Sequence, residues 1–169
     1  MKKNLCNFVI LFLLVIAFVS CGNKSVPNAY IGKWDMTNDK ESSVQKVIEI
    51  KEGNVFVETW TVYDDDGNQY GEVEIQGRCE FPSVEGIGDN HALCLVYDLA
   101  TLSDPDGILE AFEIEDYFKN ENENYESAKE KGQVYGFQDA HISGSTLYFR
   151  EGKWKLIDEA MEKLLEGSN

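Results

Sequence analysis

The chain has 169 residues, of which 43% are hydrophobic, and its 31 acidic and 15 basic side chains give a formal net charge of −16 at pH 7. This length suits one domain with a hydrophobic core and is short for two. A charge this negative repels phosphate backbones, which argues against nucleic acid as a partner. It favours cations or basic proteins, or alternatively serves only solubility.

The first 21 residues have the composition of an export signal. Two lysines precede an apolar stretch, residues 8–19, which is too short to span a bilayer comfortably. The end of this stretch and the two residues after it, Phe18-Val19-Ser20-Cys21, resemble the lipobox of bacterial lipoproteins, although Phe18 stands where leucine is usual. The resemblance implies that residues 1–20 are removed and that Cys21 is acylated. An uncleaved transmembrane anchor is the alternative, and either arrangement attaches the domain to a membrane.

The expected organisation is a signal peptide at 1–20, a lipidated cysteine and tether at 21–28, and one domain at 29–169. Two of the 15 basic residues and none of the acidic ones lie in 1–20, so the net charge from Cys21 onward is −18. Gly22 and Asn23 differ from the aspartate that retains some lipoproteins in the inner membrane. The family resemblance therefore implies the outer membrane, with the domain facing either the periplasm or the cell surface.

After the tether the sequence predicts mostly strands. Residues 52–54, with a Gly-Asn pair, and residues 64–68, with an Asp-Gly pair, are hairpin turn signals. The acidic run in the second turn differs from an EF-hand loop, which needs alternating oxygen ligands between helices. Runs rich in β-branched and aromatic residues predict strands at 29–36, 44–51, 55–63, 70–81, 91–99, 133–139 and 146–150.

Residues 70–81 alternate between apolar and polar side chains, which predicts a long strand with one solvated face. Gly71 and Gly77 fall on the apolar face, and inward glycines favour a sharply curved sheet or a barrel.

Two helical segments are expected besides the strands. Residues 108–131 read as an imperfect helix that crosses the outside of the sheet. Helical spacing near the C-terminus predicts an amphipathic helix that packs on the sheet. The predicted fold class is mainly β, a single antiparallel barrel or strongly curved sheet of about eight strands with these two helical additions. The apolar positions of the C-terminal helix are Trp154, Ile157, Met161, Leu164 and Leu165.

The start of the first strand carries a family resemblance. Gly32-Lys33-Trp34 resembles the first-strand signature of lipocalins and of the lipocalin-like lipoproteins of Bacteroidetes-type bacteria. In that family the tryptophan closes one end of the barrel and stacks under an arginine from the last strand. The resemblance implies that Trp34 and Arg150 form this pair, since a guanidinium over an indole is a favourable contact. Alternatively, Gly32 and Trp34 are only a strand start and a core aromatic residue.

Cys79 and Cys94 lie in neighbouring predicted strands, so a disulfide and two separate core thiols both remain open. Cysteine and histidine residues lack the spacing of a metal site, and the sequence implies no cofactor. It also contains no nucleophile elbow, zinc signature or phosphate loop, so the protein is not expected to be an enzyme.

Two functions remain open for the domain. A barrel of this size can hold one small apolar ligand in its mouth, or its interior can be filled by side chains. In the second case the domain is a protein-interaction module, such as an inhibitor or an accessory subunit of an envelope complex. The aromatic residues that would line a ligand site are Trp60, Tyr63, Tyr97, Phe137 and Tyr148.

Overall fold

A computed structural model describes residues 25–36, 43–82, 91–133, 139–150 and 152–157. The helical elements are a 3-10 turn (Asn28–Tyr30), a short helix α1 (Leu109–Phe112) and a long helix α2 (Ile114–Glu130). The strands among these residues are β1 (Gly32–Met36), β2 (Val44–Lys51), β3 (Val55–Tyr63), β4 (Gln69–Glu80), β5 (His91–Ala92), β6 (Cys94–Ser103), β7 (Asp139–Ser143), β8 (Thr146–Phe149) and β9 (Gly152–Leu156).

The prediction of a mainly β fold is confirmed. All strand pairs are antiparallel, and the described strands form one sheet in the order β5-β7-β8-β9-β1-β2-β3-β4-β6. This order has two ends and is not a closed ring of hydrogen bonds. The strands at its two ends, β5 and β6, are nevertheless consecutive in the chain, with Leu93 alone between them.

The predicted alternation in β4 is confirmed as far as Cys79, whereas Glu80, which was predicted on the solvated face, is buried. Gly71, Val73, Ile75 and Cys79 are buried on one face, which places them in the main core. At Gly77 a Cβ atom would lie 2.2 Å from the carbonyl oxygen of Val96, which explains why this inward position has no side chain.

Both predicted hairpin turns are present. Gly53 and Asn54 adopt φ angles of 79° and 63°, the left-handed conformation that a tight hairpin requires. In the second turn, the Asp64 carboxylate accepts hydrogen bonds from the backbone N–H groups of Asp66 (3.0 Å) and Asn68 (2.8 Å). The carboxylate of Asp64 therefore stabilises the turn itself.

The predicted crossing segment consists of two helices separated by Glu113, whose φ of 50° interrupts the helical path. Helix α2 packs against β6, the last strand of the sheet order. Asn122 of α2 accepts a hydrogen bond from the backbone N–H of Tyr97 (2.8 Å) and donates one to its carbonyl (2.9 Å). This side chain occupies the place of a neighbouring strand, so α2 covers an edge that would otherwise be free to pair.

Several boundaries differ from the sequence prediction. Strand β6 continues to Ser103 instead of ending at 99, and β7 begins at Asp139, where the strand predicted at 133–139 should end. Trp154 lies in β9 instead of beginning a C-terminal helix, because it faces inward at strand spacing and donates from its indole to the carbonyl of Phe149 (3.1 Å). The rest of the predicted helix, from residue 158, lies outside the described residues. At the other end, packing already begins at Val26, which is 6% exposed, rather than at Ala29.

Candidate functional site

The interior of the sheet contains a buried carboxylate. Glu58 lies on the inward face of β3 and is 1% exposed. Trp60 donates from its indole N–H to Oε1 (2.7 Å), and the Tyr97 hydroxyl donates to Oε2 (2.5 Å). Nη1 of Arg150 lies 3.5 Å from the same Oε2. Burial of a carboxylate is costly unless it is hydrogen-bonded and paired, and these partners meet that requirement.

Arg150 connects this carboxylate to helix α2. Its Nη2 lies 3.3 Å from Oε2 of Glu121, and its Nη1 donates to the Tyr117 hydroxyl (3.5 Å). The guanidinium also lies over the rings of Tyr97 and Phe149, with 5.4 and 5.0 Å to the centroids. Its Nε and Nη2 atoms are buried without a hydrogen bond, so Nη2 faces Glu121 as a charge contact alone.

Side chains of α2 fill the space above the carboxylate. The ring of Phe118 lies 4.5 Å from that of Tyr97 and 5.6 Å from that of Trp60. Tyr117 contacts Trp60 at 5.2 Å. Phe118 is completely buried, and Trp60 and Tyr97 are 8% and 4% exposed, so the helix occupies the position that a ligand would need.

Lys46 of β2 is opposite Trp60 in the strand register and contacts its ring. Its Nζ lies 3.6 Å from the ring centroid, which is a close cation–π contact. Burial lowers the pKa of Lys46, and the nearby Glu58 carboxylate partly opposes that shift.

Burial also keeps the two tyrosines of this cluster protonated. It raises the pKa of Tyr97 well above its ordinary value and raises that of Tyr117 to about 12. At neutral pH both hydroxyls therefore carry their protons, and Tyr97 can donate to Glu58.

A second buried carboxylate lies on the opposite face of the sheet. Glu80 is 6% exposed and accepts a very short hydrogen bond from the Tyr125 hydroxyl of α2. Nε of Arg78 lies at 3.0 Å and Nζ of Lys129 at 3.4 Å. Burial alone would raise the pKa of Glu80, but the hydrogen bonds from Tyr125 and Arg78 and the charge of Lys129 outweigh it and lower the pKa.

The predicted ligand-lining residues separate into two groups. Trp60 and Tyr97 meet at Glu58, as described above. Tyr63 donates from its hydroxyl to Gln45 (3.1 Å) in an exposed contact, and Tyr148 stacks on the exposed His141 with centroids 4.5 Å apart. These two residues do not join the interior cluster. Phe137 lies outside the described residues.

Trp34 and Arg150 have separate partners. Trp34 is 1% exposed and donates from its indole to the carbonyl of Tyr30 (3.0 Å). The aromatic rings that Arg150 contacts are those of Tyr97 and Phe149, and its described contacts do not include Trp34.

The disulfide expected as one alternative is absent, because Cys79 and Cys94 are both free and buried. The strand register explains this. Cys79 is opposite Leu95, whereas Cys94 is opposite Glu80, so the two thiols point to opposite faces of the sheet. Burial raises the pKa of both thiols to about 12.

Sequence reasoning missed Glu58, Glu80 and the inward role of Phe118. For Glu58 a signal was available, because it lies between Phe56 and Trp60 at period-two spacing and so falls on the apolar face of β3. For Glu80 and Phe118 there was none, since Glu80 is covered by Tyr125 and Lys129 of α2, and Phe118 packs against Trp60 and Tyr97, which are distant in the chain.

The lipidation residue, Cys21, lies outside the described residues. Neither described helix has the length and apolar content that a membrane crossing requires. Within the described ranges, no group of three or more His, Cys, Asp or Glu side chains could hold a metal ion. No protein-family model, curated protein or solved structure matches this chain, so its function is inferred from its own geometry.

Proposed function

We propose that the protein is a bacterial outer-membrane lipoprotein anchored by acyl groups on Cys21. The basic start, the short apolar stretch at 8–19 and the lipobox-like residues before Cys21 support this proposal. Two or three acyl chains bury enough methylene groups, at about 0.8 kcal/mol each, to make attachment durable. Intact-mass analysis of the native product tests it: we expect loss of residues 1–20 and added acyl mass, which Cys21→Ala abolishes. An unmodified thiol at Cys21 contradicts it.

The domain behind this anchor is proposed to be a closed, lipocalin-like barrel. The support comes from the segment His91–Ser103, whose first part, β5, pairs with β7 while its second part, β6, pairs with β4. If Leu93 is counted as an irregularity within one strand, the sheet returns to its starting point. Helix α2 then fills the gap beside β6, where Asn122 satisfies the backbone of Tyr97.

The proposed role of the domain is protein interaction in the cell envelope. One observation carries this proposal: Phe118 and Tyr117 of α2 pack against Trp60 and Tyr97 and fill the interior at the place predicted for an apolar ligand. A filled interior provides no volume for a ligand there, so recognition would use the outer surface. The net charge of −18 from Cys21 onward favours a partner with a basic face.

Binding of an apolar fluorescent dye to the purified full chain tests the filled interior. We expect no stoichiometric binding by the native protein and new binding by Phe118→Ala, which opens a cavity beside Trp60. Phe81→Ala is the matched control, because Phe81 is buried against Tyr30 elsewhere in the core. Binding of one dye per native chain, lost in a Trp60 variant, contradicts the proposal.

A second candidate, binding of a small apolar ligand, is favoured by the way α2 is attached. Of its 17 residues the helix buries Ile114, Phe118 and Tyr125, its Tyr117 packs against Trp60, and its other described attachments are polar. A helix with so little buried apolar surface can open at modest cost, and a ligand could then replace Phe118. Native mass spectrometry of the chain purified from its own membrane distinguishes the candidates, because a lipid bound at one per chain supports this second one.

A further inference from the structure

The segment that follows the proposed anchor is fixed to one end of the sheet. Val26 is 6% exposed, and its backbone N–H donates to Oδ1 of Asn54 in the β2–β3 turn (2.7 Å). Tyr30 is 4% exposed, donates from its hydroxyl to the carbonyl of Ala140 (3.1 Å), and contacts the ring of Phe81 at 5.4 Å. Residues 25–30 therefore form part of the packed domain and leave at most residues 21–24 as free tether.

The four residues 21–24 can span only a short distance between the docked segment and the proposed anchor. At about 3.5 Å per extended residue, 21–24 span about 14 Å at most. The end of the sheet that holds the β2–β3 turn, here called the anchor-side end, must then remain within about 14 Å of an acylated Cys21.

The opposite end of the sheet carries the β3–β4 loop and the β6–α1 loop. Strand β3 has nine residues, so about 26 Å separates this far end from the anchor-side end. The two loops lie together, because the backbone N–H of Glu72 donates to the carboxylate of Asp106 (3.1 Å). Residues 64–68 and 103–107 contain five aspartates and no basic residue.

The anchor-side end has a different chemistry. A cavity of about 420 Å³ lies beside the docked segment. Arg78, whose side chain is 54% exposed and paired with Glu80 at 3.0 Å, forms part of its wall, and the exposed Val55 contributes apolar surface. Its lining residues are Ser25, Gly53, Asn54, Val55, Arg78 and Cys79.

We infer that the anchor-side end is a membrane-facing surface, held against the lipid headgroups by the docked segment 25–30, with the acidic far end directed away. The inference rests on the lipid anchor proposed above. Geometry carries it, since the short tether keeps the anchor-side end near the headgroups, and anionic headgroups repel the five aspartates of the far end.

Fluorescence quenching by lipid on vesicles tests this orientation. The full acylated chain carries a genetically encoded fluorescent residue in place of either Glu52 or Asp65, two exposed acidic turn residues at opposite ends. The vesicles contain phosphatidylethanolamine, a minority of phosphatidylglycerol and a lipid with a nitroxide on its headgroup. We expect strong loss of fluorescence at position 52 and none at position 65. Equal quenching at the two positions, or the reverse order, overturns the inference.

Variants of Asn54 test whether the docked segment sets the orientation. Asn54→Gly keeps the left-handed turn but removes the acceptor for Val26, so the difference between positions 52 and 65 should shrink. Asn54→Asp retains an oxygen acceptor and should keep the difference. A full difference in Asn54→Gly overturns the role of the docked segment.

Failure of the lipid anchor and failure of the orientation give different results. An unacylated Cys21 in the intact-mass spectrum refutes the anchor alone, and a maleimide lipid coupled to the Cys21 thiol of a chain that lacks residues 1–20, and with them Cys6, then restores the same attachment point. Cys79 and Cys94 are buried and do not compete for the reagent. The quenching comparison on this coupled chain supports or overturns the orientation by the same criterion.

Discussion

Two buried carboxylates in the described part of the chain, Glu58 and Glu80, hold the same helix from opposite faces of the sheet. Glu58 lies in the interior and pairs with Arg150, whose side chain is 12% exposed. Glu80 lies on the outer face and pairs with Arg78 and Lys129, whose side chains are 54% and 49% exposed. Each carboxylate also accepts a hydrogen bond from a tyrosine hydroxyl, Glu58 from Tyr97 and Glu80 from Tyr125.

This difference shows how solvent access alters the contribution of similar contacts to the free energy of unfolding. At Glu58 water cannot replace a lost partner, so removal of one charge leaves the other buried. At Glu80 the cations reach solvent, which screens the ion pairs and rehydrates them when the carboxylate is lost. We therefore expect the inner carboxylate to control global stability and the outer one to control how readily the end of α2 opens.

The largest effect is expected for Glu58→Gln. Loss of this charge leaves Arg150 with Glu121 as its remaining charge partner and should lower the free energy of unfolding by about 3 kcal/mol. Urea denaturation measures the change. In the double variant Glu58→Gln with Arg150→Met, the loss should be smaller than the sum of the two single losses. Strict additivity would show that the two groups are energetically independent.

A smaller loss is expected for Asn122→Ala. This variant leaves the backbone N–H and carbonyl of Tyr97 without their side-chain partner and should reduce the free energy of unfolding by about 2 kcal/mol. Asn124→Ala is the matched control, because Asn124 is an exposed residue of the same helix and its removal should change stability by less than about 0.5 kcal/mol. Equal losses in the two variants would mean that the contact with β6 contributes nothing specific.

Glu80→Gln should cost about 1 kcal/mol at neutral pH, because half-exposed cations contribute little. The cost should depend on pH. The pKa of Glu80 is lowered in the folded protein, so its stabilising contribution is complete above the unfolded value of about 4.3 and is lost as pH falls through the folded value. Urea denaturation of both proteins from pH 7 to acid should show the difference disappearing below pH about 4. A constant difference across this range contradicts the assignment.

The smallest effect concerns the two free thiols and reports on local opening. Cys94 packs with Val96 and Tyr125 beneath α2, whereas Cys79 lies in the main core. Pulsed thiol labelling with mass spectrometry should therefore detect Cys94 before Cys79 in the native protein. Asn122→Ala lowers the free energy of local opening and of global unfolding alike, so it should accelerate labelling at both thiols by roughly tenfold for each 1.4 kcal/mol lost, and Cys94 should still be labelled before Cys79. Labelling of the two thiols at equal rates would indicate that both require global unfolding.

The hairpins were predictable because their signals are local. Strands β2 and β3 have the bounds expected from the sequence, since β-branched alternation and the Gly53-Asn54 turn act within a few residues. Trp154 was assigned to a helix because its spacing to Ile157 fits a helical period, but pairing with β8 and β1 places it in a strand. A short apolar stretch fits both a helical and a strand period, and pairing with the neighbouring strands decided for the strand.

The candidate site was predictable in part. Trp60 and Tyr97 were expected to share an interior, and they meet at Glu58. The side chain that packs against both rings is Phe118 of α2. Its polar neighbours in the sequence favoured a position on the outside of the sheet. The cysteine pairing could not be decided from proximity in the sequence, because a one-residue shift of register exchanges the faces of a strand.

The sequence by itself determined the acidic charge and the period-two strands, and it predicts an export signal that ends at Cys21, because each depends on residue type and on neighbours close in the chain. Only the tertiary structure decided that α2 fills the interior, that two buried carboxylates hold it, and that residues 25–30 dock on one end of the sheet. Those outcomes depend on contacts such as Arg150 with Glu58 and Val26 with Asn54, which join residues distant in the chain. These contacts stabilise the folded protein only after the strands have paired in the correct register.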